Sequence, residues 1–527
     1  MSSFRYLLLL AAVAACAFSI GIGAHRIEAA AYSHLGALFT SDREVRDFLA
    51  RQYVSDAVAV PLDKNIDTAL LPLDVTGLRL SDYLPVPKIG GAIVAINNEL
   101  LIVDRLGNIY ACGKSGEVRK LAFPPLPNGI DDYLRAGNTI NSQVFRAYSI
   151  KYLSERKLLV VSHELFDPKE RTTRLAVSTI GIDAATLQPT GQWTTIFSTE
   201  PEPVPPNDAS GGRLAVSPSG KIYLSVGVYN IEDRTLAQDP RSSFGKILEI
   251  NPESKASHVV SVGHRNPQGL MVSAGGELWS TDHGPAGGDA LNLVTEGSNS
   301  GWPDVTLGTN YGTYRWNDHG IVGNYDGYRP PVFAWVPSIA ASNLIEVKGF
   351  DQRWDGDFLV SSLKGQSLYR LRLDKDRVVY SEPIWIGQRL RDIAELADGT
   401  IALWTDDAEV LFLSKDQQRL ASNERLPKAL DDRLASSCIF CHHLGHTKVG
   451  DAAPSLTNLF SRKIGSDTYR YSASLRNKDG IWTEATLKQF LSNPNAFASG
   501  TSMPPPNLSA DDVERLVAVL KNLSTTN

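Results

Sequence analysis

Apolar positions change their spacing along this chain, and each spacing predicts a different kind of element. Arg5 precedes an apolar run that starts at Tyr6 and lasts through Gly23. A basic flank before such a run predicts an exported N-terminal helix within residues 1–30. The run is just long enough to stay as an uncleaved membrane anchor. Val13-Ala14-Ala15-Cys16 also resembles a lipoprotein cleavage box. Anchor, cleaved signal and lipidated terminus all export the chain. Residues 31–85 form a mixed extension, where Ser41-Asp42 predicts the cap of a short amphipathic helix to about Tyr53.

Residues 86–415 follow a strand pattern instead. One unit recurs, a Gly- or Asp-containing turn followed by a short β-branched or aromatic run. It occurs as Gly107-Asn108-Ile109-Tyr110, Gly220-Lys221-Ile222-Tyr223-Leu224, Gly276-Glu277-Leu278-Trp279, Gly356-Asp357-Phe358-Leu359-Val360 and Gly399-Thr400-Ile401-Ala402-Leu403-Trp404. Repeated turn–strand units predict the blades of a β-propeller. A β-sandwich would need fewer, denser strands. Residues 416–430 are polar and read as a linker. Helical spacing then takes over in residues 431–525. Thr483 caps a helix that ends at Asn493-Pro494, and Ser509 caps another with Val513, Leu516, Val517 and Leu520 on one face.

The length of 527 residues allows several domains, and 43% hydrophobic with 21% charged residues is ordinary for globular protein. A net charge of −6 gives nothing for nucleic acid to bind. Of the four cysteines, Cys16 lies in the N-terminal run and Cys112 stands alone, as small buried core residues do. No disulfide framework is expected, so core burial must supply the stability.

Chemistry concentrates first at Cys438-Ile439-Phe440-Cys441-His442. C-x-x-C-H is the attachment pattern of a c-type haem. Thiols at this spacing reach the two vinyl groups of one haem, and the next imidazole, His442, lies beneath the iron. A bare C-x-x-C also suits a redox dithiol or half a zinc site. The adjacent histidine, and the lack of any later cysteine, argue against both. A second axial ligand is available in Met503, between Gly500 and the proline pair Pro504-Pro505. With these features, residues 435–523 resemble a class I cytochrome c. The resemblance implies that the Pro454 carbonyl holds the ligand histidine. It places Arg462, Tyr469, Tyr471 and Trp482 near the haem propionates. His443 and His446 are read as solvated.

A second dense stretch is Gly263-His264-Arg265-Asn266-Pro267-Gln268-Gly269-Leu270. Asp282-His283-Gly284-Pro285-Ala286-Gly287-Gly288-Asp289 and Asn299-Ser300-Gly301-Trp302-Pro303 follow it. Polar residues among Gly and Pro at strand ends suit a site at one propeller face. The pattern resembles soluble quinoprotein sugar dehydrogenases of the glucose and sorbosone dehydrogenase type, which are six-bladed propellers that hold pyrroloquinoline quinone and calcium. The resemblance implies that Arg265, Asn266 and His283 lie at the quinone, and that the Gly284 and Pro285 carbonyls bind calcium. Ser362-Leu363-Lys364-Gly365 matches the family's cofactor lysine, and Arg389-Leu390-Arg391-Asp392 its Arg-x-Arg-Asp. Guanidinium groups suit a cofactor that carries three carboxylates.

One position departs from the family. Its general base is a histidine four residues before the arginine of a Gly-Arg-Leu turn, and here Ala209 stands there, ahead of Arg213-Leu214. The glycine–aspartate expected after the next strand is Gly227-Val228. Asp208 and His163 are the substitutes the sequence offers. Two functions therefore stay open. One is an exported quinohaemoprotein of the bacterial periplasm, with a sugar or alcohol as substrate and a cytochrome or oxidase as electron acceptor. The other is an electron-carrying cytochrome fused to an inactive propeller that serves as a binding platform.

Overall fold

The structure, a computed structural model, describes residues 60–80, 84, 90–138, 145–202, 211–228, 234–309, 323–417, 420, 438, 442, 453–456, 458–466, 469, 471–501, 503, 506 and 508–524. The N-terminal apolar run and the helix expected to Tyr53 lie outside these residues. Among the described residues no helix is long and apolar enough to cross a membrane.

Six antiparallel sheets make the six blades. Their innermost strands are Ala92–Ile96, Ala147–Leu153, Gly211–Val216, Pro267–Val272, Ala341–Glu346 and Leu390–Glu395. Each of these touches the innermost strand of the next blade, and the last touches the first. The turn between first and second strand needs a left-handed residue in every blade. Four blades supply glycine, at Gly220, Gly276, Gly356 and Gly399, whereas Asn97 (φ 56°) and Lys157 (φ 52°) serve in blades one and two. That explains the uneven spacing of the repeat. Two of its six copies lack the glycine, and the Gly107 unit precedes a third strand, Ile109–Cys112. Cys112 is fully buried in an apolar cluster, as expected, and burial pushes its thiol up to about 12.

Blade six departs from the sequence reading. Its outer strand is Pro72–Arg79, paired with Glu409–Lys415 from Leu73↔Lys415 to Arg79↔Glu409. Val60–Asp67 adds a further strand outside it. Residues assigned to an N-terminal extension therefore begin the propeller and close its ring. No glycine turn announces them, because their partner lies at the other end of the domain. Leu73 and Val75 are buried between blades five and six with Trp354, Leu403 and Leu413. Gly77 is needed at the seam, since a Cβ there would stand 2.4 Å from the Val410 carbonyl oxygen.

The C-terminal part is helical, as its periodicity predicts. Thr483 and Thr486 form a reciprocal capping box at the start of Glu484–Ser492. Ser509 Oγ accepts the Asp512 amide at 3.1 Å, beginning Ala510–Ser524. Val513, Leu516, Val517 and Leu520 pack with Leu487, Phe490 and Leu491 into one core.

Candidate functional site

Every innermost strand begins where its pairing with the second strand of the blade ends. The terminal pairs Ala92↔Val103, Ala147↔His163, Gly211↔Val226, Pro267↔Asp282, Ala341↔Ser362 and Leu390↔Thr405 lie at one end of the propeller. Residues just before the inner strands and just after the second strands therefore share a face. Arg265, Asn266, His283, Gly284, Pro285, Lys364, Arg389 and Arg391 all come to it, from segments far apart in the chain.

Between blades three and four, the Asp282 carboxylate accepts the Arg265 amide at 3.2 Å and the Asn266 amide at 2.7 Å. Asn266 Oδ1 accepts from Gly211 N at 3.2 Å and from Gln268 at 2.8 Å. The Arg265 guanidinium lies 5.4 Å from the Trp302 ring centre and donates to the His283 and Gly284 carbonyls at 3.2 and 3.1 Å. The following loop turns around Asp289, which is fully buried. Its carboxylate accepts from Gly284 N, Ser338 Oγ, Ile339 N and Ala341 N at 3.1, 2.7, 3.0 and 3.2 Å. Asp289 stands in a motif the sequence shows but is not singled out there, because most of its partners are main-chain amides, two of them about fifty residues away. His283 donates through Nε2 to the Ala341 carbonyl at 2.7 Å, and burial lowers its pKa against the pull of Asp289.

In blade six, two guanidiniums share one carboxylate. Arg389 Nε meets Asp406 at 3.0 Å and Arg391 Nε at 2.7 Å. This is the shared face that a spacing of two along a strand predicts. Burial alone would raise the Asp406 pKa, but Arg391 and Arg389 outweigh it and hold the carboxyl below its usual range. Beneath them, fully buried Arg213 donates to the carbonyls of Gln268, Tyr148 and Arg391 at 2.8, 2.8 and 2.5 Å and lies 3.3 Å from Asp392. It ties four blades together at the axis. The Lys364 side chain is exposed, and among the described residues no group accepts from its ammonium. Arg389, Arg391 and Lys364 thus fit an anionic cofactor. The Gly284 carbonyl fits calcium less simply, because Arg265 already donates to it.

The proposed bases fare differently. Asp208 and Ala209 lie outside the described residues. His163 is fully buried, with Nδ1 2.9 Å from the Glu164 carbonyl and Nε2 2.9 Å from Ser178 Oγ. Burial pushes its pKa down to about 4. It packs inside blade two with both ring nitrogens engaged, so it does not serve as the base expected from the sequence. Strand alternation puts its neighbour Glu164 on the other side. Glu164 accepts from Tyr148 Oη at 2.5 Å and from the Phe145 amide. Burial raises the Glu164 carboxyl, against Tyr148, Arg146 and Arg105. The sequence offers no signal for this pairing, because strand contacts bring Tyr148 and Glu164 together.

In the helical part, His442 Nδ1 lies 2.7 Å from the Pro454 carbonyl. Nδ1 therefore carries the proton, and Nε2 is left as the metal-binding nitrogen. Cys438, Tyr469 and Met503 pack against the same core as Tyr471 and Trp482. The Tyr469 and Tyr471 rings meet edge-on at 5.2 Å, and Trp482 stacks on Phe497 at 5.7 Å. Arg462 donates to the Ser455 carbonyl at 2.8 Å, and its own carbonyl accepts the Trp482 amide at 2.9 Å. Cys441, His443 and His446 lie outside the described residues. The donors present fit a haem with histidine and methionine ligation.

Comparison with known proteins agrees with both halves. The glucose/sorbosone dehydrogenase family model matches residues 93–413, and the cytochrome c model matches 432–524. The aldose sugar dehydrogenase YliI of Escherichia coli (strain K12) is 32% identical over 218 residues, covering 38% of this chain and 57% of that protein. Quinoprotein glucose dehydrogenase B of Acinetobacter calcoaceticus is 24% identical over 277 residues, or 37% of this chain and 58% of that one. This chain thus spans little more than half the length of each. The crystal structure of soluble aldose sugar dehydrogenase from Escherichia coli, in the apo form, superposes with a TM-score of 0.54 at 22% identity, covering 65% of this chain and 99% of that one. At that identity the likeness shows the fold alone. With a single family model running from the first blade to the last, and the ring closed as described, this chain belongs to the glucose/sorbosone dehydrogenase family and carries a C-terminal cytochrome c domain.

Proposed function

We propose that the propeller oxidises a sugar or alcohol through pyrroloquinoline quinone, and that the electrons leave through a c-type haem held by the C-terminal domain. The observation that carries this is the pairing of Arg389 and Arg391 on the single carboxylate of Asp406. Two cations share one anion there, which leaves positive charge for a cofactor with several carboxylates. Lys364 adds a second point of attachment from blade five. When bound, the quinone supplies a two-electron acceptor for the hydride of a C–H bond. The Gly284 and Pro285 carbonyls would hold a calcium ion, which would supply Lewis-acid polarisation, and Arg265, which donates to the Gly284 carbonyl, would offer its guanidinium to a cofactor carboxylate. Donation from His442 to Pro454 fixes the ring that would face the iron. Covalent fusion keeps the two redox sites at high effective concentration. Export to the bacterial periplasm, by a retained, cleaved or lipidated N-terminus, suits haem attachment, and a second cytochrome or an oxidase would accept the electrons.

Ala209 favours a second reading, in which the propeller has lost catalysis and the cytochrome only carries electrons. Loading the full-length haem protein with calcium and quinone, then adding a panel of sugars and alcohols, separates the two. Reduction of the haem, followed by its absorbance, is expected with at least one substrate. Bound quinone without haem reduction by any substrate would select the second reading. Failure to bind quinone would overturn the role of the arginine pair.

A further inference from the structure

We propose that Tyr148 and Glu164 take the hydroxyl proton of the substrate in place of the missing histidine. The inference rests on the dehydrogenase reading above. Removing hydride from an alcohol carbon leaves a proton on oxygen, and a positioned base for it contributes on the order of 10²–10⁴ in rate.

Three observations point to this pair. The first is position. Tyr148 is the second residue of the innermost strand of blade two, and Glu164, within the long strand Leu158–Asp167, comes just after the last pair of the two strands, Ala147↔His163, toward the face that gathers Arg265 and Arg391. The Tyr148 ring lies directly against Gly212, where a Cβ would stand 2.6 Å from its Cγ. Gly212 comes three residues after Ala209. The ring is therefore built in against the start of the strand Gly211–Val216.

The second is geometry. Tyr148 Oη donates to Glu164 Oε1 at 2.5 Å, and the Phe145 amide fixes the other carboxylate oxygen. Glu164 is 2% exposed and Tyr148 is 8% exposed. Tyr148 packs in an apolar cluster with Leu214 and Val226 and keeps the larger exposed share of the two, so in this proposal the substrate meets the phenol. A phenol oxygen accepts as well as donates. As the substrate O–H breaks, its proton passes to Tyr148 Oη, and the phenol's own proton passes to Glu164 Oε1. A bound quinone would supply the two-electron acceptor for the C–H pair, so that the substrate carbon can become a carbonyl. Atoms and charge balance with no further reactant.

The third is the surrounding charge. Arg105 and Arg146 act on Glu164 from blades one and two, and both favour its ionised form. Tyr133, from the helix Ile130–Arg135, lies near enough to be affected by it. His163 faces away into the blade. Burial outweighs the two arginines and raises the Glu164 carboxyl above its ordinary value.

Tyr148→Phe and Glu164→Gln test the pair. In the quinone-loaded enzyme, each is expected to slow substrate-dependent haem reduction by 10²-fold or more, with KM changed less than threefold and quinone affinity unchanged. The acidic limb of the wild-type pH–rate profile should be lost in Glu164→Gln. An independent readout uses the cofactor-free protein. Infrared pH-difference spectra should show a carboxyl band titrating above the usual glutamate range, absent in Glu164→Gln and shifted in Tyr148→Phe. If either variant folds poorly, 3-fluorotyrosine at position 148 should move the pH profile without loss of structure. Wild-type rates in Tyr148→Phe, or a carboxyl band indifferent to that change, would overturn the role of the pair alone. A wild-type protein that binds quinone but oxidises nothing would overturn both this role and the dehydrogenase reading.

Discussion

At the scale of single residues, charge and burial decide most of what the propeller face can do. Arg391 shows this. Its side chain is only 15% exposed, it holds Asp406, and its carbonyl receives Arg213. Arg391→Gln should weaken quinone binding at least tenfold in an absorbance titration, since a charge-assisted hydrogen bond is worth about 1.5–3 kcal/mol and 1.4 kcal/mol is a factor of ten. Arg391→Lys should restore only part of this, because an ammonium lacks the planar fork. His163 makes a different prediction. Its folded pKa of about 4 lies below the ordinary value of 6.5. The folded state therefore favours the neutral ring. The resulting stability is complete above pH 6.5 and is lost as pH falls toward 4, by up to on the order of 3 kcal/mol. Denaturant unfolding of His163→Gln should show a flatter pH dependence across that window than the unaltered protein.

At the scale of elements, local sequence is a good guide where the element carries its own punctuation. The helix Glu484–Ser492 is legible because Thr483 and Thr486 cap it and Asn493-Pro494 ends it. Thr483→Ala should cost about 1 kcal/mol and lower the thermal midpoint of the cytochrome domain, followed by haem absorbance. The blade turns are legible only in part. Gly220, Gly276, Gly356 and Gly399 announce themselves, whereas Asn97 and Lys157 adopt the same backbone conformation with a side chain present. An αL position tolerates Asn readily and Lys at some cost, so a glycine rule misses both. Replacing Lys157 by Gly should stabilise blade two, read as a higher unfolding midpoint of the propeller.

At the scale of the whole molecule, the ring is closed by hydrogen bonds and packing, with no covalent link. Pro72–Arg79 lies against Glu409–Lys415, with Arg79 3.0 Å from Glu409 across the seam. Leu73 and Val75 add apolar burial worth roughly 1.5–3 kcal/mol each. Gly77→Val would drive a side chain into the Val410 carbonyl and Leu411. It should lower the propeller's denaturation midpoint while leaving that of the cytochrome domain in place.

The sequence by itself determined the parts whose chemistry is local. C-x-x-C-H, the capped helices and the glycine turns each depend on residues a few positions apart, so their meaning survives without a fold. The same holds for Arg389 and Arg391, whose shared face follows from strand period alone. Only the tertiary structure decided which distant residues meet. It brought Pro72–Arg79 to the last blade, set Asp406 between two arginines, placed Asp289 under the Gly284 turn, and turned His163 inward while Glu164 met Tyr148. These contacts join segments that share no local pattern. A propeller makes its site from strand ends of many blades, and that convergence comes from closing the ring.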